Sequence, residues 1–253
     1  MQLLKTEWDY TQLADAYLKR PDYSEEAITQ MLKIANIFAG SYVCDVGAGV
    51  GHLTLALAQR KMTVVAVEPN DAMRARGIKQ TQEFEAVKWY EGTGENTNQK
   101  DSCFDLVTFG SSFNVTNRVR ALQESHRILK SKGWFACMWN HRDLNDLIQH
   151  EIENIIKFYI RDYNYGSRRE DQTSVIHSSD LFREIHKVEG KVCHKQKIDA
   201  CIEAWRSHAT LMRQAGDKFD SIIMELERFL KQKQQPEIVI PYTTRIWLAQ
   251  VKK

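Results

Sequence analysis

What the chain lacks narrows its reading first. Its 253 residues carry no surplus of one sign of charge: 35 Lys and Arg stand against 33 Asp and Glu, a formal net charge of +2. A protein that holds nucleic acid by its phosphates carries a basic excess or a dense Lys/Arg stripe. Neither is present, so no nucleic-acid partner is expected. The cysteines Cys44, Cys103, Cys137, Cys193 and Cys201 are odd in number, scattered, and form no C-x-x-C pair. That pattern excludes a disulfide framework and fits a reduced compartment. No apolar run approaches the roughly 18 residues that span a bilayer. The segment Met1–Tyr10 has Lys5, Glu7 and Asp9 where a secretory leader would be apolar, so no signal peptide is expected. The expectation is a soluble, cytoplasmic protein with no membrane partner. Six of the 8 histidines lie after residue 140, at no metal-ligand spacing, and no metal is assigned.

What is present supports a sizeable core. At 43% hydrophobic, the chain suits one large domain carrying an elaboration rather than a disordered polymer. Through residue 140, helical and strand patterns alternate. Ser24-Glu25-Glu26 reads as an N-cap and acidic first turn, followed by Ile28, Met31, Leu32 and Ala35 at helical spacing. Strands are expected at Tyr42–Val46, Thr63–Val67, Val87–Glu91, Asp105–Phe109 and Trp134–Trp139. Helices are expected at His52–Arg60, Asp71–Lys79 and Val119–Leu129, and Gly133 reads as a turn. Apolar strands separated by amphipathic helices predict an α/β fold with a mostly parallel sheet covered on both faces. Beyond 140 the rhythm changes. Helices are expected over 144–160, 199–215 and 217–232 with a break at Gly216, a polar stretch over 161–179, a strand near 187–196, and a last strand over Thr243–Val251. The expected organisation is a core over 1–140, a cap over 141–235 that contributes a strand near 187–196, and a returning last strand in 236–253.

The most informative segment is Asp45-Val-Gly47-Ala48-Gly49-Val-Gly51, between a strand and a helix. Glycines let a backbone turn sharply and let a ligand approach its N–H groups closely, and a helix start favours a negative group. Glu68 closes the next strand, where an acidic side chain can take both hydroxyls of a ribose. Together these predict a nucleoside site. A dinucleotide fingerprint would need glycine at 52 or 54, where His52 and Thr54 stand. The Gly-Lys-Ser/Thr of a phosphate-binding P-loop is also absent.

The spacing Asp-x-Gly-x-Gly-x-Gly resembles motif I of the class I S-adenosylmethionine-dependent methyltransferases. Further stretches carry the resemblance. Glu68-Pro69-Asn70-Asp71-Ala72-Met73 looks like the acidic ribose-binding residue with a Met beside the adenine. Gly92-Thr93-Gly94-Glu95 resembles the stretch that reads the adenine edge, with Thr93 where Asp is common. Phe104-Asp105-Leu106-Val107 matches the fourth-strand signature, and Phe109, Gly110 and Ser111 would lie beside the methionine end. Glu124 to Gly133 looks like the approach to the fifth strand, with Ser131-Lys132 where Pro-Gly is usual. The last strand, Tyr242 to Ala249, is similar to that of the small-molecule, type 11, trans-aconitate methyltransferase-like branch. The resemblance implies a Rossmann-like doubly wound sheet of seven strands, S-adenosyl-L-methionine as cofactor and S-adenosyl-L-homocysteine as product. It implies a small-molecule acceptor, with a monomeric or homodimeric protein.

Methyl transfer from a sulfonium is an in-line displacement, and orientation alone can contribute about 7–11 kcal/mol. A carboxylate nucleophile needs no base, whereas a hydroxyl or ammonium does. His141 is the candidate base and Asn114, where relatives often carry His or Gln, a candidate neighbour of the acceptor. Asp45 orients the glycine loop or faces the cofactor's ammonium. Tyr10 and Tyr17, seven residues apart, share a helix face, as core or as a lid over the cofactor, with Tyr17 the better candidate. Phe113, Arg168, Arg169, Trp205 and Arg206 are the substrate-binding candidates. Guanidinium groups favour carboxylate or phosphate, although Glu170 and Asp171 allow a merely solvated loop. The expected function is O-methylation of a carboxylate or hydroxyl on an anionic biosynthetic intermediate. N- or C-methylation, a nucleic-acid or protein methyltransferase, and a non-catalytic cofactor-binding partner subunit are the alternatives. Base-modifying amino methyltransferases show Asn/Asp-Pro-Pro-aromatic after the fourth strand, where Gly110-Ser111-Ser112-Phe113 stands here.

Overall fold

A computed structural model describes residues 14–253. The leader expectation for Met1–Tyr10 and the Tyr10 half of the tyrosine pair lie outside the described residues. The chain runs α1 (Ala14–Tyr17), α2 (Glu25–Ile34), β1 (Tyr42–Val46), α3 (His52–Gln59), β2 (Thr63–Val67), α4 (Asp71–Gln80), β3 (Val87–Tyr90) and β4 (Phe104–Gly110). It continues with α5 (Arg118–Ile128), β5 (Leu129–Arg142), α6 (Leu147–Tyr159), α7 (Thr173–Ser178), β6 (Phe182–Lys197), α8 (Ile198–Arg206), α9 (Ala209–Ala215), α10 (Phe219–Lys231) and β7 (Glu237–Val251).

The strands form one seven-stranded sheet in the order β3-β2-β1-β4-β5-β7-β6. The first five are parallel, and β7 runs antiparallel between β5 and β6. Strands β1 and β2 are almost continuously apolar because helices cover both their faces. On one face α2 and α3 bury Ile28, Met31, Leu53 and Leu57 against Val43, Val64 and Leu106. On the other, α5 and α7 bury Leu122 and Ile176 against Val65, Val107 and Phe135. At the edge, β6 alternates buried and exposed positions and presents lysines to solvent, a pattern that blunts an open strand. Helix starts follow the expected chemistry. The Ser24 hydroxyl accepts from the Ala27 N–H at 3.3 Å, and Asn70 and Asn117 cap α4 and α5 in the same way.

Several expectations change: β6 and β7 reach beyond 187–196 and Thr243–Val251, and α7 forms within the stretch 161–179. The fifth strand reaches from Leu129 to Arg142, far beyond Trp134–Trp139. Its start holds an outward loop, because Phe104 pairs with Leu129 but Leu106 pairs with Trp134. Lys132 adopts a left-handed φ of 67° there, and Gly133 sits inside the loop rather than at a turn between elements. The helix expected over 199–215 is two helices. The chain breaks at Ser207, whose hydroxyl donates back to the Glu203 carbonyl at 3.0 Å, and His208 caps α9 by accepting from the Leu211 N–H at 3.1 Å.

Beyond the C-terminal ends of the parallel strands, β5, β6 and β7 continue outward and carry a third buried cluster. Ile152 and Ile156 of α6, Ile202 and Trp205 of α8, Leu211 of α9, Leu226 and Leu230 of α10, and Ile238 and Ile240 of β7 form it. Among the described residues, no helix is long and apolar enough to cross a membrane.

Candidate functional site

Strand order reverses between β1 and β4, and in open α/β sheets ligands bind at such a switch point, outside the carboxyl ends of the strands. The glycine loop occupies this position. Gly47, Gly49 and Gly51 have φ of 64°, 58° and 94°, a region that costs other residues roughly 1–2 kcal/mol. A Cβ on Gly47 would lie 2.5 Å from Ser112 Cβ, whereas one on Gly49 would meet nothing within 4 Å. The loop is therefore closed against β4 at Gly47 and open at Gly49.

Four of its amides are engaged within the fold. The Gly47 and Ala48 N–H groups donate to the Val67 carbonyl at 2.8 and 3.1 Å, and the Gly51 N–H donates to Ala48 at 2.9 Å. The Gly49 N–H donates to Glu68 Oε2 at 2.8 Å. Glu68 Oε1 accepts from the Asn70 N–H at 2.9 Å. Each carboxylate oxygen keeps a lone pair for a further donor. Burial raises the Glu68 pKa, and the two amide bonds oppose that rise. Pro69 lies half-buried beside it.

Asp45 is fully buried. Its oxygens accept from the Thr54 hydroxyl at 2.6 Å and the Thr108 hydroxyl at 2.9 Å. The side chain thus ties α3 and β4 to β1, and burial pushes its carboxyl up to about 6. Met73 packs with Val50 and Ala14, against Tyr17 and Ala72, so α1 rests on the loop and on α4. The His52 ring holds α1 in place, meeting the Tyr17 carbonyl and Asp22 Oδ1 at 2.9 Å each.

Across the switch point, Ser111 has a left-handed φ of 59°, and its Oγ lies 2.9 Å from the Tyr23 hydroxyl. A Cβ on Gly110 would come within 3.0 Å of the same hydroxyl. The Phe109 side chain is fully buried in the core, so only its backbone faces the loop. In the stretch after β3, the Thr93 N–H donates to the Asn96 carbonyl at 2.9 Å. A Cβ on Gly94 would strike Thr116, and Glu95 accepts from the Asn117 N–H at 2.5 Å. Asn114 Oδ1 accepts from the Trp139 indole at 2.8 Å.

Several candidates receive different work from the structure. His141 and Arg142 are consecutive on β5 and face opposite sides of the sheet. The His141 Nε2 meets the Arg168 carbonyl at 2.9 Å, and burial lowers its pKa to about 4. A ring so hard to protonate is a poor base and instead holds the Arg168 segment. Phe113 is fully buried between Phe109 and Phe135 and has no surface for a substrate. Arg206 is paired with Glu203 at 2.9 Å and Glu227 at 2.7 Å on the exposed side of α8. Arg169 donates to the Arg142 carbonyl at 3.2 Å and lies over the Tyr165 ring at 4.1 Å. Trp205 is 1% exposed and lies under the Arg142 guanidinium. A cavity of about 370 Å³ beside the end of β5 is lined by His141, Arg142, Asp143, Arg169 and Arg245, among others. Tyr23 and Arg142 escaped the sequence reading, since neither lies in a motif; only their positions just before α2 and just past Trp139 hinted at them.

Comparison with known proteins agrees with this geometry. Residues 44–137 match the family model described as a methyltransferase domain. This segment of the chain is therefore similar to a methyltransferase domain. An uncharacterized methyltransferase of Mycobacterium tuberculosis is 34% identical over 128 residues, 49% of this chain and 48% of that protein. A demethylmenaquinone methyltransferase of Staphylococcus epidermidis is 30% identical over 112 residues, 43% of this chain and 46% of that protein. The chain thus spans about half the length of the curated relatives it matches. Among solved structures, the YcgJ protein from Bacillus subtilis superposes with a TM-score of 0.56 at 19% identity, covering 90% of this chain and 99% of that one. At that identity the likeness concerns the fold.

Proposed function

We propose that this protein is a methyltransferase that binds S-adenosyl-L-methionine at the switch point and methylates an oxygen of a small, anionic acceptor. The observation that carries this reading is Glu68, held at the end of β2 by the Gly49 amide, with lone pairs left for the hydroxyls of a ribose. In this reading Gly47, Ala48, Gly49 and Gly51 admit the cofactor closely and Asp45 keeps the loop in place. Pro69 and Met73 flank the adenine, whose edge meets Thr93, Gly94 and Glu95. The methionine end lies along the backbone of Phe109, Gly110 and Ser111, under Tyr17. S-adenosyl-L-methionine, when bound, supplies an electrophilic methyl group and leaves as S-adenosyl-L-homocysteine.

The cap over 141–235 takes the acceptor. Neither candidate for the base suits proton removal, which favours oxygen over nitrogen: His141 resists protonation and Asn114 is an amide engaged with Trp139. A carboxylate needs no proton removed. Asn114 positions the acceptor instead.

Calorimetry with S-adenosyl-L-homocysteine tests the cofactor site. Glu68→Ala is expected to weaken binding by roughly 10- to 100-fold, the loss of hydrogen bonds to a charged group. No heat of binding at micromolar protein, or equal binding by the variant, overturns the reading.

A further inference from the structure

Arg142 leaves the end of β5 and lies flat on the Trp205 indole, its Cζ 4.1 Å from the ring centre. Its Nε donates to the Tyr242 hydroxyl at 3.2 Å, while its Nη1 is buried with no partner. Two neighbours on the cap are in the same condition. Trp205 is 1% exposed and Tyr163 5% exposed, and neither the Trp205 Nε1 nor the Tyr163 hydroxyl has a partner. Buried polar atoms in native proteins are nearly all satisfied. Orphaned donors gathered about one guanidinium mark where the oxygens of a ligand fit.

The surrounding charge is mainly positive. Arg168 lies over the Tyr165 ring at 5.1 Å, and Arg20 lies over the Tyr17 ring at 3.4 Å. Among the described residues, neither of them nor Arg142 is in an ion pair. The carboxylate near them, Glu153, is engaged by the Tyr165 hydroxyl and by Lys157 Nζ at 3.1 Å. The three cations come from three separate elements and converge beside His208. Burial drives the His208 pKa well down, and Arg168, Arg142 and Arg20 drive it further. Cations held together without counter-ions destabilise a fold, so their retention here points to a ligand that neutralises them.

We propose that Arg142 and Arg168, with Arg20 at the rim, anchor an acceptor carrying at least two negative charges, on a dicarboxylate or a phosphate monoester. Tyr163 and Trp205 donate to the same anionic oxygens. One carboxylate would leave two of the three guanidiniums uncompensated; two charges or more answer the cluster. The planar fork of Arg142, already fixed on Trp205, loses little freedom in taking two oxygens at once. Arg142 thereby sets acceptor specificity without touching the transferred methyl. This inference rests on the methyltransferase reading and names the acceptor class of its site.

The test titrates the S-adenosyl-L-homocysteine-loaded protein with succinate, inorganic phosphate and acetate at constant ionic strength. Succinate or phosphate is expected to bind at one site, at least about tenfold more tightly than acetate, and the better of the two identifies the anionic group. Arg142→Gln and Arg168→Gln are each expected to weaken that binding by roughly 10- to 100-fold. Arg228→Gln, which removes a charge paired with Glu225 on the surface, serves as the control. Arg142→Lys keeps the charge but not the fork and falls between; it and Arg168→Gln carry the test if Arg142→Gln does not fold. Acetate binding as well as both dianions, or Arg142 and Arg168 variants indistinguishable from Arg228→Gln, overturns the anchor. Protein that takes up no S-adenosyl-L-homocysteine overturns the methyltransferase reading instead, and the same anion titrations without it still decide the anchor.

Discussion

Asp45 and His141 titrate with opposite signs over overlapping ranges. Burial lifts the Asp45 carboxyl to about 6 from 3.8, so the folded chain holds this proton better than the unfolded chain does. The stability belonging to the protonated form is lost as pH rises through about 6. Burial lowers His141 to about 4 from 6.5; its contribution is present above 6.5 and lost as pH falls towards 4. In the native chain the two slopes offset each other. Asp45→Asn is expected to gain about 3 kcal/mol relative to the native chain between about pH 4 and 7. His141→Gln is expected to lose about as much over the same range. Urea unfolding across that range is the measurement, and a constant difference for either variant refutes its assignment.

At the scale of elements, the site depends on how α2 seats against the outer strands. The Ser24 N–H donates to the Thr244 hydroxyl at 2.8 Å, and that hydroxyl donates to Asn140 Oδ1 at 2.5 Å. Asn140 in turn donates to the Asp22 carbonyl at 3.0 Å. The segment carrying Arg20, Asp22 and Tyr23 is thereby joined to β5 and β7. Close approach is possible because residue 190 of β6 is glycine: a Cβ there would lie 2.3 Å from Ser24 Oγ and 2.9 Å from Ala27 Cβ. Gly190→Ala is expected to destabilise the fold by about 1–3 kcal/mol through overpacking. Lys191→Ala, at an exposed position of the same strand, should stay within about 0.5 kcal/mol. Urea midpoints of the two variants decide it, and equal midpoints would show that α2 does not rest on this strand.

At the scale of the molecule, the switch point gathers the glycine loop, Glu68 and Ser111 from segments far apart in the chain, so a ligand bound there as proposed would stabilise all of them together. S-adenosyl-L-homocysteine at about 100 times its dissociation constant should add about 2.7 kcal/mol to unfolding. Thermal unfolding with and without it checks this; an unchanged midpoint refutes it, and Glu68→Ala should remove most of the increment. If a carboxylate is the acceptor, the methyl group transferred from labelled S-adenosyl-L-methionine to an acidic metabolite fraction should be released as methanol by mild alkali. An alkali-stable label points to an ether, amine or carbon product.

The sequence by itself determined the parallel half of the sheet, the glycine loop and Glu68. These are encoded within a few residues of one another: apolar runs long enough for a strand, glycines where φ must be positive, an acid at a strand end. It also marked Ser24, whose side chain caps the turn that follows it. Only the tertiary structure decided which basic residues can meet an acceptor. Arg206 and Arg168 look alike in the chain, yet two glutamates neutralise the first and rings surround the second. Arg142 belongs to no motif and gains its place from an indole more than sixty residues away. His141 is set apart from a free base by its burial and by its ring nitrogen on the Arg168 carbonyl. Periodicity and capping act over one or two turns and can be read along the chain. Charge compensation and desolvation depend on groups that only the fold brings together.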